Sequence, residues 1–200
     1  LIAILDYGSG NLRSAQRAFE RVHPDVVVTN DAALCAAADG LVVPGVGAYA
    51  ACMEQLIAAH GKEIIADRVH SAKPIFGICV GMQILFANGT EKGGHRGLGV
   101  FNGTVSEIKA PVLPHIGWNT VTAPAGSSLF VGVEAESFYF VHSYAAKEDV
   151  AGAVTTRAEY GESFVAAVER GSIVATQFHP EKSGDAGARI IRNWVEGWAA

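Results

Sequence analysis

The chain has 200 residues, half of them hydrophobic, with 18% charged residues and a net charge of −5. That length fills one packed core, and the low charge fraction excludes a disordered chain. An acidic balance without a long basic run leaves no footprint for nucleic acid or an anionic membrane, and no apolar run approaches the roughly 18 residues a bilayer span needs.

The N-terminal LIAILDYGSGN has no basic segment and its apolar run stops at Asp6, so it reads as a first strand and not as a signal peptide. Leu12, Ala15, Ala18, Phe19 and Val22 then recur at helical spacing, with Asn11 placed as a cap. Residues 25–29 are β-branched and strand-like, 31–38 a short helix candidate, and 40–43 a strand stopped by Pro44. Two helices follow over 48–59 and 61–71, split near Gly61. A fourth strand is expected over 74–78, and a helix over 80–88 ended by Asn88-Gly89. This alternation predicts a parallel sheet with helices on its faces. Past residue 90 the pattern turns to strands over 97–109, 115–122, 138–146, 150–157, 163–169 and 172–178, the last two forming a hairpin at Arg170-Gly171. Residues 185–198 close the chain as an amphipathic helix with Ile190, Ile191, Trp194 and Trp198 on its apolar side. No repeat or linker interrupts this. The expected fold is α/β over residues 1–200, a mostly parallel mixed sheet flanked by helices, with additional antiparallel strands in the second half.

Cys35, Cys52 and Cys79 are an odd count at unrelated spacings, without a disulfide framework or zinc pattern, which implies a reducing, cytoplasmic setting. Cys35 and Cys52 lie in Ala-rich helical patterns and read as small buried hydrophobes. Cys79 differs. In FGICVGMQ (76–83) it sits between two glycines, where a strand turns into a helix, which is the thiol version of a nucleophile elbow. The turn would aim the thiol out at the C-terminal edge of the sheet, at a helix N-terminus that favours the thiolate, beside the Val80 N–H as an oxyanion donor. Taken alone, the octapeptide fits a buried core cysteine equally well.

A thiol nucleophile needs a base and an orienting group. TQFHPEKS (176–183) offers both: His179 ends a strand-like run, and Glu181 follows two residues on. An extended chain through Pro180 would point both side chains the same way, so that Glu181 accepts the Nδ1–H and Nε2 faces the thiol. His-Pro-Glu is also an ordinary strand-end turn, and His-x-Glu is no metal-ligand spacing. The two elements in this order in one α/β chain point to catalysis. A third stretch, VVPGVGAY (42–49), lacks any phosphate-loop signature and reads as the source of a second oxyanion N–H. Gly45 and Gly47 permit unusual dihedrals and would let the Val46 peptide reorient at little cost.

Together, FGICVGMQ, TQFHPEKS and VVPGVG resemble the class I (triad) glutamine amidotransferases. DYGSGNLRS (6–14), PGVGAY (44–49), GICVGMQ (77–83), PHIGWN (114–119), FYFVHSY (138–144) and FHPEKS (178–183) narrow the resemblance to the glutaminase subunits of imidazole glycerol phosphate synthases, over nearly the whole chain. The Cys and His-Pro-Glu motifs specify only the superfamily; DYGSGN and PHIGWN specify the subunit.

The resemblance implies a single glutamine amidotransferase domain with a Cys79–His179–Glu181 triad, no cofactor and no metal. It implies an oxyanion hole from Val80 and the Val46–Gly47 region. Gly47, Gln83, Ser143 and Tyr144 match glutamine-binding positions, although Ser143 equally fits an ordinary strand position. The expected partner is a separate (βα)₈ cyclase subunit in a heterodimer, with Asn11, Trp118, Asn119 and Tyr139 at interface positions. Without the resemblance, Trp118 reads as core. His142 lies near the site but reads as structural. Val80 stands where leucine is common, which matters little because only its N–H is needed. The rival readings are a different amidotransferase subunit, a partner-independent γ-glutamyl hydrolase and a non-catalytic flavodoxin-like module.

Overall fold

Three runs, Ile2–Leu5, Gly40–Gly45 and Ile75–Cys79, are buried at every position. Continuous burial without alternation is what strands covered on both faces require, and it places these runs at the centre of a parallel sheet. The computed structural model describes residues 1–198. Its first half alternates through β1 (Ile2–Leu5), α1 (Leu12–Glu20), β2 (Val26–Thr29), α2 (Ala32–Ala37), β3 (Gly40–Gly45), α3 (Tyr49–Ala58), α4 (Gly61–His70), β4 (Ile75–Cys79) and α5 (Val80–Gln83). Then come β5 (Phe86–Gly89), β6 (His95–Arg96), β7 (Phe101–Glu107), β8 (His115–Thr120), β9 (Ser137–His142), β10 (Tyr144–Ala146), β11 (Val154–Tyr160), β12 (Glu162–Arg170) and β13 (Ile173–Thr176). A 3₁₀ turn over Pro180–Lys182 and α6 (Gly184–Glu196) complete the chain.

The main sheet has the order β11-β12-β13-β4-β3-β1-β2. From β13 to β2 all pairings are parallel; β12 and β11 add antiparallel to that edge. The β12–β13 hairpin turns at Arg170-Gly171 as the sequence predicts, with Gly171 at φ +58°. Side-chain alternation along β4 divides the core. Phe76 packs edge-on against Phe19 of α1 and Trp194 of α6, while Gly77 faces α5 and Leu85.

Several sequence expectations need correction. The helix expected over 80–88 stops at Gln83, and Phe86–Gly89 is a strand paired with β7. Apolar spacing cannot separate a short helix from a short buried strand, and here the long-range ladder prevails. The strand over 150–157 begins only at Val154 and continues to Tyr160, where Gly161 at φ +72° makes the turn into β12. Pro44 does not stop β3, which runs to Gly45, and the strand over 138–146 breaks at Ser143.

Candidate active site

Three neighbouring parallel strands, β3, β4 and β13, end at the same edge of the sheet. Register fixes what they deliver there. Gly45 pairs with Cys79 across β3–β4, so Val46 and Gly47 follow beside the cysteine. Thr176 pairs with Ile78 across β13–β4, so Gln177 comes next to Cys79 and His179 just beyond. Residues far apart in sequence thus converge by strand order alone. Of these, Val46, Gly47, Cys79 and His179 line a cavity of about 280 Å³ that also takes in Gln83, Pro114, His142, Ser143, Tyr144 and Lys182.

Cys79 adopts φ +55°, ψ −113°, a conformation that non-glycine residues avoid. The glycines around it are there for close approach: a Cβ on Gly81 would run into the Val43 carbonyl, and one on Gly77 would meet the Gly81 carbonyl at 3.0 Å. This is the elbow geometry the sequence suggests. The helix behind it, α5, is only four residues long. As a thiol, Cys79 Sγ lies 3.8 Å from the Val141 carbonyl oxygen, which can accept its proton in a weak bond.

His179 and Glu181 pair as expected, Nδ1 to Oε1 at 2.7 Å. The route differs from the expected one. Pro180–Lys182 is a 3₁₀ turn and not extended chain. Proline fits the first position of such a turn, and the Ser183 hydroxyl donates to the His179 carbonyl at 2.7 Å to hold it. Burial alone would push the His179 imidazole down in pKa. The Cys79 sulfur and the Glu181 carboxylate outweigh that and raise it, so the imidazolium is favoured beside the sulfur.

The Val46–Gly47 loop is pinned. Val46 N–H donates to Ser9 Oγ at 3.0 Å, and Ser9 Oγ–H donates back to the Val46 carbonyl at 2.9 Å. The Cys52 thiol also reaches that carbonyl, at 3.2 Å. In a trans peptide the carbonyl and the following N–H point opposite ways, so the Gly47 N–H points away from Ser9 and Cys52. Val46 N–H is therefore occupied, and Gly47, at φ +88°, supplies the available donor of this loop. Val80, as the first residue of α5, has no intrahelical acceptor for its own N–H.

The wall opposite is a directed hydrogen-bond network. The Tyr144 carbonyl can only accept, so His142 Nδ1 at 3.0 Å must carry a proton and its Nε2 must be bare. His115 Nδ1, 2.9 Å from that Nε2, is then the donor, and its own Nε2 takes a long bond from Asn119 Nδ2 at 3.4 Å. Burial pushes His142 down to about 3, with the charges of His115 and His179 adding to the effect, and burial pushes His115 down to about 4; both are neutral at pH 7. The Tyr144 carbonyl also accepts from Gln83 Nε2 at 2.9 Å. Gln83 Nε2 donates again to Gln177 Oε1 at 3.0 Å, and Gln177 Nε2 lies 3.8 Å from Cys79 Sγ. Sequence reading missed Gln177. Its one signal was a polar residue inside the last buried strand-like run.

Trp118 and Tyr139 sit cross-strand on the β8–β9 hairpin, with ring centroids 5.9 Å apart. Trp118 is 59% exposed and so is not core; Ile116 beside it is equally exposed. The hairpin is tied to the His179 segment, because His179 N–H donates to the Tyr139 carbonyl and Tyr139 N–H to Ser183 Oγ. Asn11 is exposed and caps α1. All three cysteines are free; Cys35 and Cys52 are buried as expected, with Cys52 in the added role of a donor to Val46. Among the described residues, no helix is long and apolar enough to cross a membrane.

A family model described as glutamine amidotransferase class-I matches residues 3–198. Similar proteins include the "imidazole glycerol phosphate synthase subunit HisH" of Mycobacterium bovis and that of Nocardia farcinica, each 56% identical over 98% of this chain and 97% of the relative. The same-named protein of Streptomyces coelicolor is 52% identical over 98% and 92%. Among solved structures, a crystal structure of a glutamine amidotransferase matches with a TM-score of 0.80 at 18% identity, covering 100% of this chain and 99% of the other. The structure of PurLQS from Thermotoga maritima matches at 0.73 and 18% identity, covering 98% and 97%. At that identity the two structures speak for the fold.

Proposed function

We propose, from the premise that this chain belongs to the class-I glutamine amidotransferases and within them to the imidazole glycerol phosphate synthase subunits, that Cys79, His179 and Glu181 hydrolyse glutamine for its ammonia. The observation that carries this reading is the delivery of Cys79, His179 and the Gly47 loop to one cavity by three adjacent parallel strands. The Cys79 thiol gives its proton to His179 Nε2, and the sulfur attacks the side-chain amide carbon of glutamine. The oxyanion that forms is met by the N–H groups of Gly47 and Val80. His179 returns the proton to the leaving nitrogen, so ammonia departs and a γ-glutamyl thioester remains. Water, deprotonated by the same imidazole, then cleaves the thioester to glutamate and free thiol. Glu181 keeps the proton on Nδ1 and offsets the imidazolium charge. Gln83, Ser143 and Tyr144 hold the α-amino-acid end of the substrate.

The ammonia passes to a cyclase subunit that makes imidazole glycerol phosphate in histidine biosynthesis. Ammonia released to neutral water is protonated and loses its nucleophilicity, so the cavity mouth belongs against the partner. The exposed Trp118 and Ile116, with Tyr139 behind them and Asn11 and Asn119 at the rim, form the face for a one-to-one complex with a (βα)₈ barrel. An aromatic anchor of this kind carries an interface out of proportion to its area. The test is glutamate release from glutamine by this chain alone and with a histidine-pathway cyclase carrying its nucleotide ligand, with Cys79→Ala beside it. Low release alone, a large rise in the complex and loss in the variant are expected. Full activity without the partner would instead indicate an independent hydrolase.

A further inference from the structure

Gln177 is 1% exposed, and its side chain bridges two groups already placed at the site. The orientation of its amide is not free. The Tyr144 carbonyl accepts only, which puts the NH₂ end of Gln83 toward it. The second hydrogen of that NH₂ goes to Gln177, so the atom of Gln177 it meets is the oxygen. The NH₂ end of Gln177 is thereby turned to Cys79 Sγ, 3.8 Å away. The lock extends further back. His142, itself held by His115, fills the other acceptor site of the Tyr144 carbonyl. The histidine donors and one Gln83 hydrogen thus converge on the Tyr144 carbonyl and fix the Gln83 amide, and from Gln83 the remaining donors run through Gln177 to the sulfur.

We propose that Gln177 is a further member of the reacting centre, whose amide N–H donates to the Cys79 sulfur once its proton has moved to His179 and so holds the thiolate in place for attack. This rests on the reading of Cys79 as the nucleophile. In the thiol form the sulfur's proton has the Val141 carbonyl as acceptor, 3.8 Å away. After transfer to His179 Nε2 the sulfur keeps the electron pair and needs donors, not acceptors. A fixed amide N–H meets that need without carrying charge of its own, so it does not compete with the imidazolium.

The test reads the thiol without glutamine: the rate of iodoacetamide alkylation at Cys79, followed by mass spectrometry of the Cys79 peptide at pH 7 in the intact chain. Gln177→Glu keeps the shape and still accepts from Gln83, but turns an anionic oxygen on the sulfur. Alkylation should slow about tenfold or more. Gln177→Met removes donor and acceptor without adding charge and should slow it by a smaller factor. It also supplies the comparison if the Glu variant does not fold. Rates in both variants within twofold of the native chain would overturn the proposal. Because alkylation needs no substrate, a chain that fails to hydrolyse glutamine yet shows the ordered slowing keeps this inference and loses the proposed function. Glutamine hydrolysis with unchanged alkylation in the variants does the reverse.

Discussion

His179 Nδ1 lies 2.7 Å from Glu181 Oε1, with only 4% and 3% of the two side chains exposed. A buried carboxylate this close fixes both the tautomer and the charge of the ring. Glu181→Gln removes the charge while keeping the shape. We expect kcat for glutamate release to fall on the order of 10²-fold or more, with little change in KM, because Glu181 does not line the cavity. Steady-state kinetics decide it. A change confined to KM would take Glu181 out of the proton path.

Gly81 and Gly47 separate space from backbone strain. A Cβ at Gly81 would collide with the Val43 carbonyl, whereas one at Gly47 would meet open space, but at φ +88°. Gly81→Ala must therefore push β3 and α5 apart and should destabilise the fold by about 2 kcal/mol or more. Gly47→Ala should cost about 1 kcal/mol, yet lower kcat more, because it disturbs the donor loop directly. Urea unfolding read beside kinetics of the folded variants gives the ordering. If Gly47→Ala were the less stable of the two, close packing would not be the reason for the glycine at 81.

The sequence carried the elbow, the His-Pro-Glu partner and the glycine loop because each is a local pattern at the end of an apolar run. What it could not carry is register. That Thr176 faces Ile78, and hence that Gln177 meets Cys79, is a property of the β13–β4 pairing, with those last two 98 positions apart in sequence. The His142–His115 bond arises the same way, from the β8–β9 ladder that sets His115 opposite His142. The expected helix over 80–88 failed for a related reason: Phe86–Gly89 has helix-compatible spacing, but β7 offers it a partner strand. The His179–Glu181 pair was legible even though its local conformation was not, since two residues of chain bring the side chains together in an extended segment or in a 3₁₀ turn.

The neutral histidine pair predicts an acid limit to stability. Folding lowers His142 to about 3 and His115 to about 4, so between about pH 6.5 and 4 the unfolded chain binds protons that the folded chain does not. Stability from these groups is present above the unfolded value and lost as pH falls, with a limiting slope of about 1.4 kcal/mol per pH unit per histidine. His179 has the opposite sign. Its pKa is raised on folding, so its contribution is already full below pH 6.5 and is lost only as pH rises through the raised value. His115→Asn or His142→Gln should flatten the acid limb of urea midpoint against pH. An acid limb identical to that of the native chain in both variants would assign it to carboxylates instead.

Ser9 holds Val46 on both sides of its Cα, accepting from the N–H at 3.0 Å and donating to the carbonyl at 2.9 Å. One hydroxyl thus fixes the two peptide planes that decide where the Gly47 N–H points. Cys52 Sγ, 3.2 Å from that carbonyl and from Ser9 Oγ, supports only one of them. Ser9→Ala should let the loop sample other orientations, lowering kcat roughly tenfold with KM nearly unchanged, since the donor matters once an oxyanion forms. Cys52→Ala should have the smaller effect, and Ser9→Thr should restore much of the rate by keeping the hydroxyl. A glutamate γ-semialdehyde probe sharpens the comparison. As a tetrahedral adduct on Cys79 it should lose affinity in Ser9→Ala in step with kcat, while glutamine binding to the Cys79→Ala chain stays the same with or without Ser9→Ala. Equal losses for aldehyde and glutamine would make Ser9 a general support of the cavity and not of its oxyanion donor.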